Sequence, residues 1–151
     1  MHRRIERILG NLRDFTVAGR AVERISIASE AMTRRIVRVS SSVGDLAIVL
    51  EDRRLRDGDV VYVDAERVLA IEVEPDDVIV AKPRTIGAAL ELAHALGNRH
   101  LPVQRQDDAL IVRYTEPVAE LCERAGVPFE RTTRVLAEPF VAPPAPHEHA
   151  S

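Results

Sequence analysis

The chain has 151 residues, 46% of them hydrophobic, which is enough for a packed core and too many for a disordered segment. Its net charge of −3 leaves no basic footprint for nucleic acid, and 3% aromatic residues with no Trp argue against a site built on ring stacking. The charge is uneven: residues 1–70 hold 13 Arg against 11 acids, and residues 71–151 hold 8 basic against 13 acidic side chains, so the second half repels phosphate and tolerates a cation.

Residues 1–75 read as a β-rich domain. Ile25 and Ile27, Val37 and Val39, Leu46-Ile48-Leu50, and Leu69-Ile71-Val73 alternate with polar residues at the strand period. Turn signals separate them at Val43-Gly44-Asp45, Arg56-Asp57-Gly58-Asp59 and Asp64-Ala65-Glu66. The Ser40-Ser41-Ser42 run reads as a turn, and His2 as part of a frayed terminus. Short strands with regular turns predict a small sandwich or partly open barrel.

The pattern changes at Pro75-Asp76-Asp77, where a domain boundary is expected. Val78–Ala81 is a strand. Thr85 caps a helix from Ile86 to Leu96, with Gly97 as its left-handed stop. Leu101–Gln104 is a strand whose proline suggests an edge or a start, and Leu110–Tyr114 returns after the Asp107-Asp108 turn. Glu116-Pro117 opens a second helix that Gly126 ends, and Phe129–Leu136 is the last strand. The order β-α-β-β-α-β over residues 76–138 is the ferredoxin-like arrangement, so the fold class is α+β. Residues 139–151, with Pro139, Pro143, Pro144 and Pro146, read as a short, disordered Pro/His tail.

Cys122 is the only cysteine, so no intrachain disulfide forms. The terminus MHRRIERILG lacks an apolar signal run, and no stretch approaches the ~18 apolar residues of a membrane span. The expected location is the cytoplasm, with no membrane and no nucleic-acid partner. Phosphate-loop, dinucleotide and nucleophile-elbow motifs are absent, so the chain is not expected to be an enzyme.

The histidines remain as carriers of chemistry, imidazole being the commonest ligand for borderline metals. His100 stands between the first helix and a strand, accessible yet anchored at both ends. One imidazole cannot hold a transition metal firmly, but a two-fold dimer brings two together. From Pro139 to His147 the tail reaches roughly 25 Å at ~3.1 Å per residue if extended, so His147 or His149 can add ligands to a metal at the dimer interface. A solvent-exposed His100 and a merely solvated tail are the plain alternatives. His94, beside Leu90 and Glu91, reads as a surface or core-edge residue. Cys122, on a stripe with Val118, Leu121 and Ala125, reads as a buried thiol. Other readings of the whole chain are a non-catalytic ferredoxin-like interaction or regulatory module, or a general divalent-metal buffer.

The segment Leu96-Gly97-Asn98-Arg99-His100-Leu101-Pro102-Val103-Gln104 resembles the signature of the urease accessory protein E family. Leu55-Arg56-Asp57-Gly58-Asp59-Val60, Gly126-Val127-Pro128-Phe129-Glu130 and Glu138-Pro139-Phe140 are similar to other parts of that family. The resemblance implies a homodimeric nickel metallochaperone that holds Ni(II) through His100 of each subunit. It implies delivery to apo-urease in concert with an accessory GTPase, and a partner-binding first domain. Zn(II) and Cu(II) suit the same ligands, and by the usual stability order copper binds at least as tightly. Two places depart from the family pattern. Thr115 and Glu116 stand where many members carry an Asp-His pair, and the tail holds only His147 and His149, which suits a carrier rather than a nickel store.

Overall fold

A computed structural model of the chain describes residues 2–141. The tail candidates His147 and His149 lie outside them. The fold is α+β, as the alternating and helical periods predict, with eleven strands and two α-helices among the described residues. It divides into two compact units, one of residues up to Pro75 with Val135–Pro139, the other of Asp76–Arg134 with Phe140 and Val141.

The first unit contains β1 (His2–Ile5), β2 (Gly10–Asn11), β3 (Ala21–Ile27), a 3₁₀ turn over Ser29–Thr33, β4 (Ile36–Ser41), β5 (Gly44–Val49), β6 (Asp59–Val63) and β7 (Arg67–Val73). Two sheets form, in the orders β1-β5-β4 and β2-β6-β7-β3. Ile5, Val37, Leu46 and Ile48 of one sheet share a core with Ile25, Ile27, Leu69, Ile71 and Val73 of the other. Because side chains alternate across a strand, one period-2 set from each sheet suffices to build this sandwich. Two readings of the sequence are corrected here. His2 opens β1, paired in parallel with β5, where a frayed end was expected. Ser40 and Ser41 lie in β4, and only Ser42-Val43 turn the chain into β5.

The Arg56–Asp59 turn is held from inside. Gly58 has φ +82° and donates its N–H to the Ile71 carbonyl at 2.7 Å. A β-carbon there would lie 2.9 Å from Asn11 Oδ1. Asp59 is 1% exposed. Its carboxylate accepts from the Arg53 guanidinium (2.6 Å), the Arg56 N–H (2.8 Å) and the Asn11 amide (3.2 Å). Asp57 accepts the Val73 N–H at 2.9 Å. A buried carboxylate survives only with such a set of donors, and removing it strands them. Asp59→Ala is therefore expected to lower unfolding free energy by about 3 kcal/mol. Urea denaturation measures this; a change within a few tenths of a kcal/mol would show that the network is ornamental.

The second unit contains β8 (Asp76–Ala81), α1 (Ile86–Asn98), β9 (Val103–Gln106), β10 (Ala109–Arg113), α2 (Glu116–Arg124) and β11 (Phe129–Arg134). The sheet order is β11-β8-β10-β9, with every pairing antiparallel, which is the ferredoxin-like topology. Both helices start on a threonine: the Thr85 hydroxyl accepts the Ala88 N–H at 3.1 Å and Thr115 accepts that of Val118 at 3.3 Å. Leu92 and Leu96 of α1 and Val118 and Cys122 of α2 pack on Ile79, Ala81 and Val112. Strand β9 begins only after Pro102, which has no N–H for a ladder, and it is an edge strand.

Arg131 stacks over the Tyr114 ring at 3.6 Å and holds the Asp77 carboxylate through two nitrogens, at 3.1 and 2.8 Å. The Arg131 hydrogen bonds keep the Asp77 carboxyl below its ordinary value of 3.8. Folding thus gains from this pair above the ordinary carboxylate range and loses the gain as pH falls through the lowered value. In a carboxyl NMR titration Asp77 is expected to titrate below 3.8, and Arg131→Ala to bring it back up. An unmoved midpoint in the variant would contradict the assignment.

Candidate metal centre

His100 is placed by the way α1 ends. The helix runs through Gly97 to Asn98, beyond the expected stop, and Gly97 is not left-handed. Arg99 caps the helix, and His100 itself has φ +56°. The Leu101 N–H donates to the Leu96 carbonyl at 3.3 Å, and the His100 N–H to the Gly97 carbonyl at 3.0 Å. This is a Schellman stop with His100 in the left-handed position, and Leu101 packs on the core that contains Leu96. Helix α2 ends by the same pattern: Val127 N–H to Cys122 carbonyl, Gly126 N–H to Glu123 carbonyl, with Gly126 at φ +67°. In one unit, then, the same turn is made once by glycine and once by histidine.

The difference has an energetic meaning. A β-carbon in the left-handed region costs roughly 1–2 kcal/mol, and glycine avoids it. Sterics therefore disfavour histidine here, and strained backbone of this kind gathers at functional positions. Leu96 and Leu101, both anchored in the core, leave the intervening turn little choice. The imidazole is carried outward on it and is exposed.

The other candidates are not brought together with it. His94 is exposed on α1, with its Nε2 3.2 Å from the Asn98 amide nitrogen. A neutral ring accepting at Nε2 carries its proton on Nδ1. Cys122 is buried, and burial, helped by Glu123, pushes its thiol pKa up, away from the thiolate a metal would need. Thr115 is the cap of α2 and Glu116 its exposed first residue. Among the described residues no three His, Cys, Asp or Glu side chains gather as a metal cage. His100 alone offers a single imidazole on an exposed turn, and a firm metal site there would need further ligands from elsewhere.

Exposed residues continue along α1 from that turn. Ile86, Leu90, His94 and Asn98 follow one another at four-residue spacing and are all exposed, Ile86 at 80% and Leu90 at 65%. Leu92 and Leu96 occupy the buried side. Sequence reading did not single out this stripe, since it placed only His94, beside Leu90 and Glu91, at the surface or core edge. It also missed the left-handed histidine, because glycine is the usual stop and stands only three residues away.

The fold and this turn define a two-domain α+β protein that offers an imidazole at a helix end. Profiles described as UreE urease accessory protein, N-terminal domain, and UreE urease accessory protein, C-terminal domain, match residues 5–74 and 63–149. Urease accessory protein UreE of Bacillus sp. (strain TB-90) is 35% identical over 147 residues, 96% of this chain and 98% of that protein. The protein of the same name from Corynebacterium efficiens is 39% identical over 140 residues, covering 90% and 94%. That from Geobacillus kaustophilus is 35% identical over 138 residues, covering 90% and 93%. The chain belongs to the UreE urease accessory protein family.

Two substitutions separate the imidazole from its backbone. His100→Gly is expected to raise stability by roughly 0.5–1 kcal/mol, the steric relief less glycine's greater freedom when unfolded. His100→Ala keeps a β-carbon at positive φ and is expected to change stability by only a few tenths of a kcal/mol. Paired thermal and urea melts decide; a glycine variant less stable than the alanine variant would contradict the strained stop.

Proposed function

We propose that this chain is a nickel metallochaperone acting in urease maturation. It binds Ni(II) as cargo through His100 of two subunits and delivers it to apo-urease in concert with the urease accessory GTPase. The observation that carries this reading is the exposed histidine held at the left-handed stop of α1. What supports pairing of two copies is the exposed Ile86 and Leu90 on the same helix, since a two-fold contact sets an apolar stripe against its own copy. His147 and His149 of the proline-rich end complete the shell with water. A shell completed in part by water holds affinity low enough for hand-over to a partner with better ligands. Residues 1–75 serve as the partner-binding domain, residues 76–138 as the metal and dimer domain, and the site of action is the cytoplasm. The protein changes no bond and is not an enzyme. The same ligands accept Zn(II) and Cu(II), so selectivity comes from partners and supply.

Calorimetric nickel titration tests the reading. His100→Ala is expected to lose most of the affinity, because each dimer loses two ligands at once, and His94→Ala to stay near the parent. Truncation from Pro143 is expected to leave dimer and melting temperature intact and to weaken nickel binding, with a residual His100 site. Binding weakens on acidification, because the proton and the metal compete for the same imidazole nitrogen. Full affinity in His100→Ala would refute the carrier reading. For the dimer, light scattering of Leu90→Glu is expected to give a monomer; a parent that is monomeric with and without nickel would refute the shared site.

A further inference from the structure

The first unit leaves two strand edges open on either side of one groove. Among the described residues, strand β3 pairs only with β7, and β4 only with β5. The 3₁₀ turn at Ser29–Thr33 joins the two strands, and both line a groove of about 500 Å³. In a parallel ladder, alternate residues of an edge strand face their neighbour and the others turn both backbone groups outward. The Ala21 N–H donates to Glu66 and the Ile27 carbonyl accepts from Glu74, so residues 21, 23, 25 and 27 face β7. Val22, Arg24 and Ser26 are thereby left with N–H and C=O turned away from β7.

The groove is built in two kinds of chemistry. Its lining includes the apolar residues Ile25, Ile27, Ala31 and Val37, all buried in the core of the unit, together with Val39. Arg24, Arg34 and Arg38 line it too, all exposed, and no ion pair among the described residues uses them. The one acid in the lining is Glu23, whose carboxylate already accepts from the Ser42 N–H and hydroxyl. Two further carboxylates stand beside groove serines: Glu74 accepts from Ser26 at 3.2 Å, and Asp45 from Ser40 at 3.1 Å. Glu23, Glu74 and Asp45 accept from serine groups, and Glu30 on the 3₁₀ turn is a further acid nearby, while Arg24, Arg34 and Arg38 enter no ion pair among the described residues and are the groups that can meet an external anion.

We infer that this groove binds an extended, acidic segment of a partner protein, added as a strand to the free edge of β3. Backbone bonds to Val22, Arg24 and Ser26 would give affinity, and carboxylates set opposite Arg24, Arg34 and Arg38 would give specificity. The inference rests on the partner-binding role proposed for residues 1–75 and is independent of the metal site.

Fluorescence anisotropy with the full chain tests it. The probe is a fluorescein-labelled octapeptide alternating valine and glutamate. Controls are the same peptide with lysine for glutamate, the same peptide N-methylated at alternate residues, and a labelled oligouridylate. Saturable binding is expected for the glutamate peptide, at least tenfold weaker with Arg24→Glu/Arg38→Glu and with the N-methylated peptide. Val22→Pro, which removes an edge N–H that β7 does not use, is expected to weaken binding without lowering the melting temperature. Peptide binding that survives both variants unchanged would overturn the groove while leaving the first unit a partner-binding domain. No saturable binding of the glutamate peptide would overturn both. Equal binding of the lysine peptide, or tighter binding of oligouridylate, would overturn the acidic-peptide assignment. Nickel titration of His100→Ala, which leaves this groove untouched, reads the carrier proposal separately.

Discussion

The end of α1 is fixed by a bond and a contact that do not involve the side chain of His100. The Leu101 N–H reaches back to the Leu96 carbonyl; Leu96 is buried in the core of the second unit and the half-buried Leu101 packs against that core. Once those are in place, the residue before Leu101 must take the left-handed conformation whatever its side chain. That residue is His100. Packing of Leu96 in the core and of Leu101 against it therefore determines where an exposed imidazole stands, and the edge strand β9 leaves the turn just beyond it. A side chain held in this way needs no hydrogen bond of its own to be positioned.

The same unit supplies its own comparison. Gly126 ends α2 through an identical pair of backbone bonds and meets no steric penalty. Histidine at the equivalent place is the poorer choice for the fold. Ala18 and Asp107 also take left-handed backbone, so the strain alone does not mark a site; what distinguishes His100 is that the strained position carries an exposed imidazole. The buried carboxylate in the first unit shows the opposite logic. Asp59 is surrounded by donors from Asn11, Arg53 and Arg56 and has no exposed face to offer a ligand, so its role is to lock the turn that joins β6 to the rest of its sheet.

The fold was largely legible where periodicity is strong. Leu69-Ile71-Val73 and Ile25-Ile27 announce strands by alternation, and Thr85 and Gly126 announce helix ends by their chemistry. What stayed hidden depends on tertiary context. β1 carries Arg3 and Arg4 and shows no alternation to notice; only its parallel pairing with β5 makes it a strand. Gly97 looks like a helix stop by residue type, yet the bond from Leu101 to Leu96 carries the helix past it. For the site, His100 was legible as a position between elements, and its strained geometry was not, because φ is set by contacts several residues away. The stripe of Ile86 and Leu90 escaped for a related reason: sequence gives apolar spacing on a helix but not which of its two apolar sides faces the core.

The α1 stripe with its terminal imidazole belongs to the second unit, and the groove between strand edges belongs to the first, so the proposed metal site and the proposed peptide groove can be altered one at a time. The central claim is that one nickel ion is shared by two copies of His100. X-ray absorption at the nickel edge, on protein loaded with one nickel per two chains, addresses it most directly. The account predicts imidazole scattering around nickel that falls sharply in His100→Ala while the chain stays folded. Undiminished imidazole scattering in that variant, or nickel bound tightly by a monomeric chain, would contradict it.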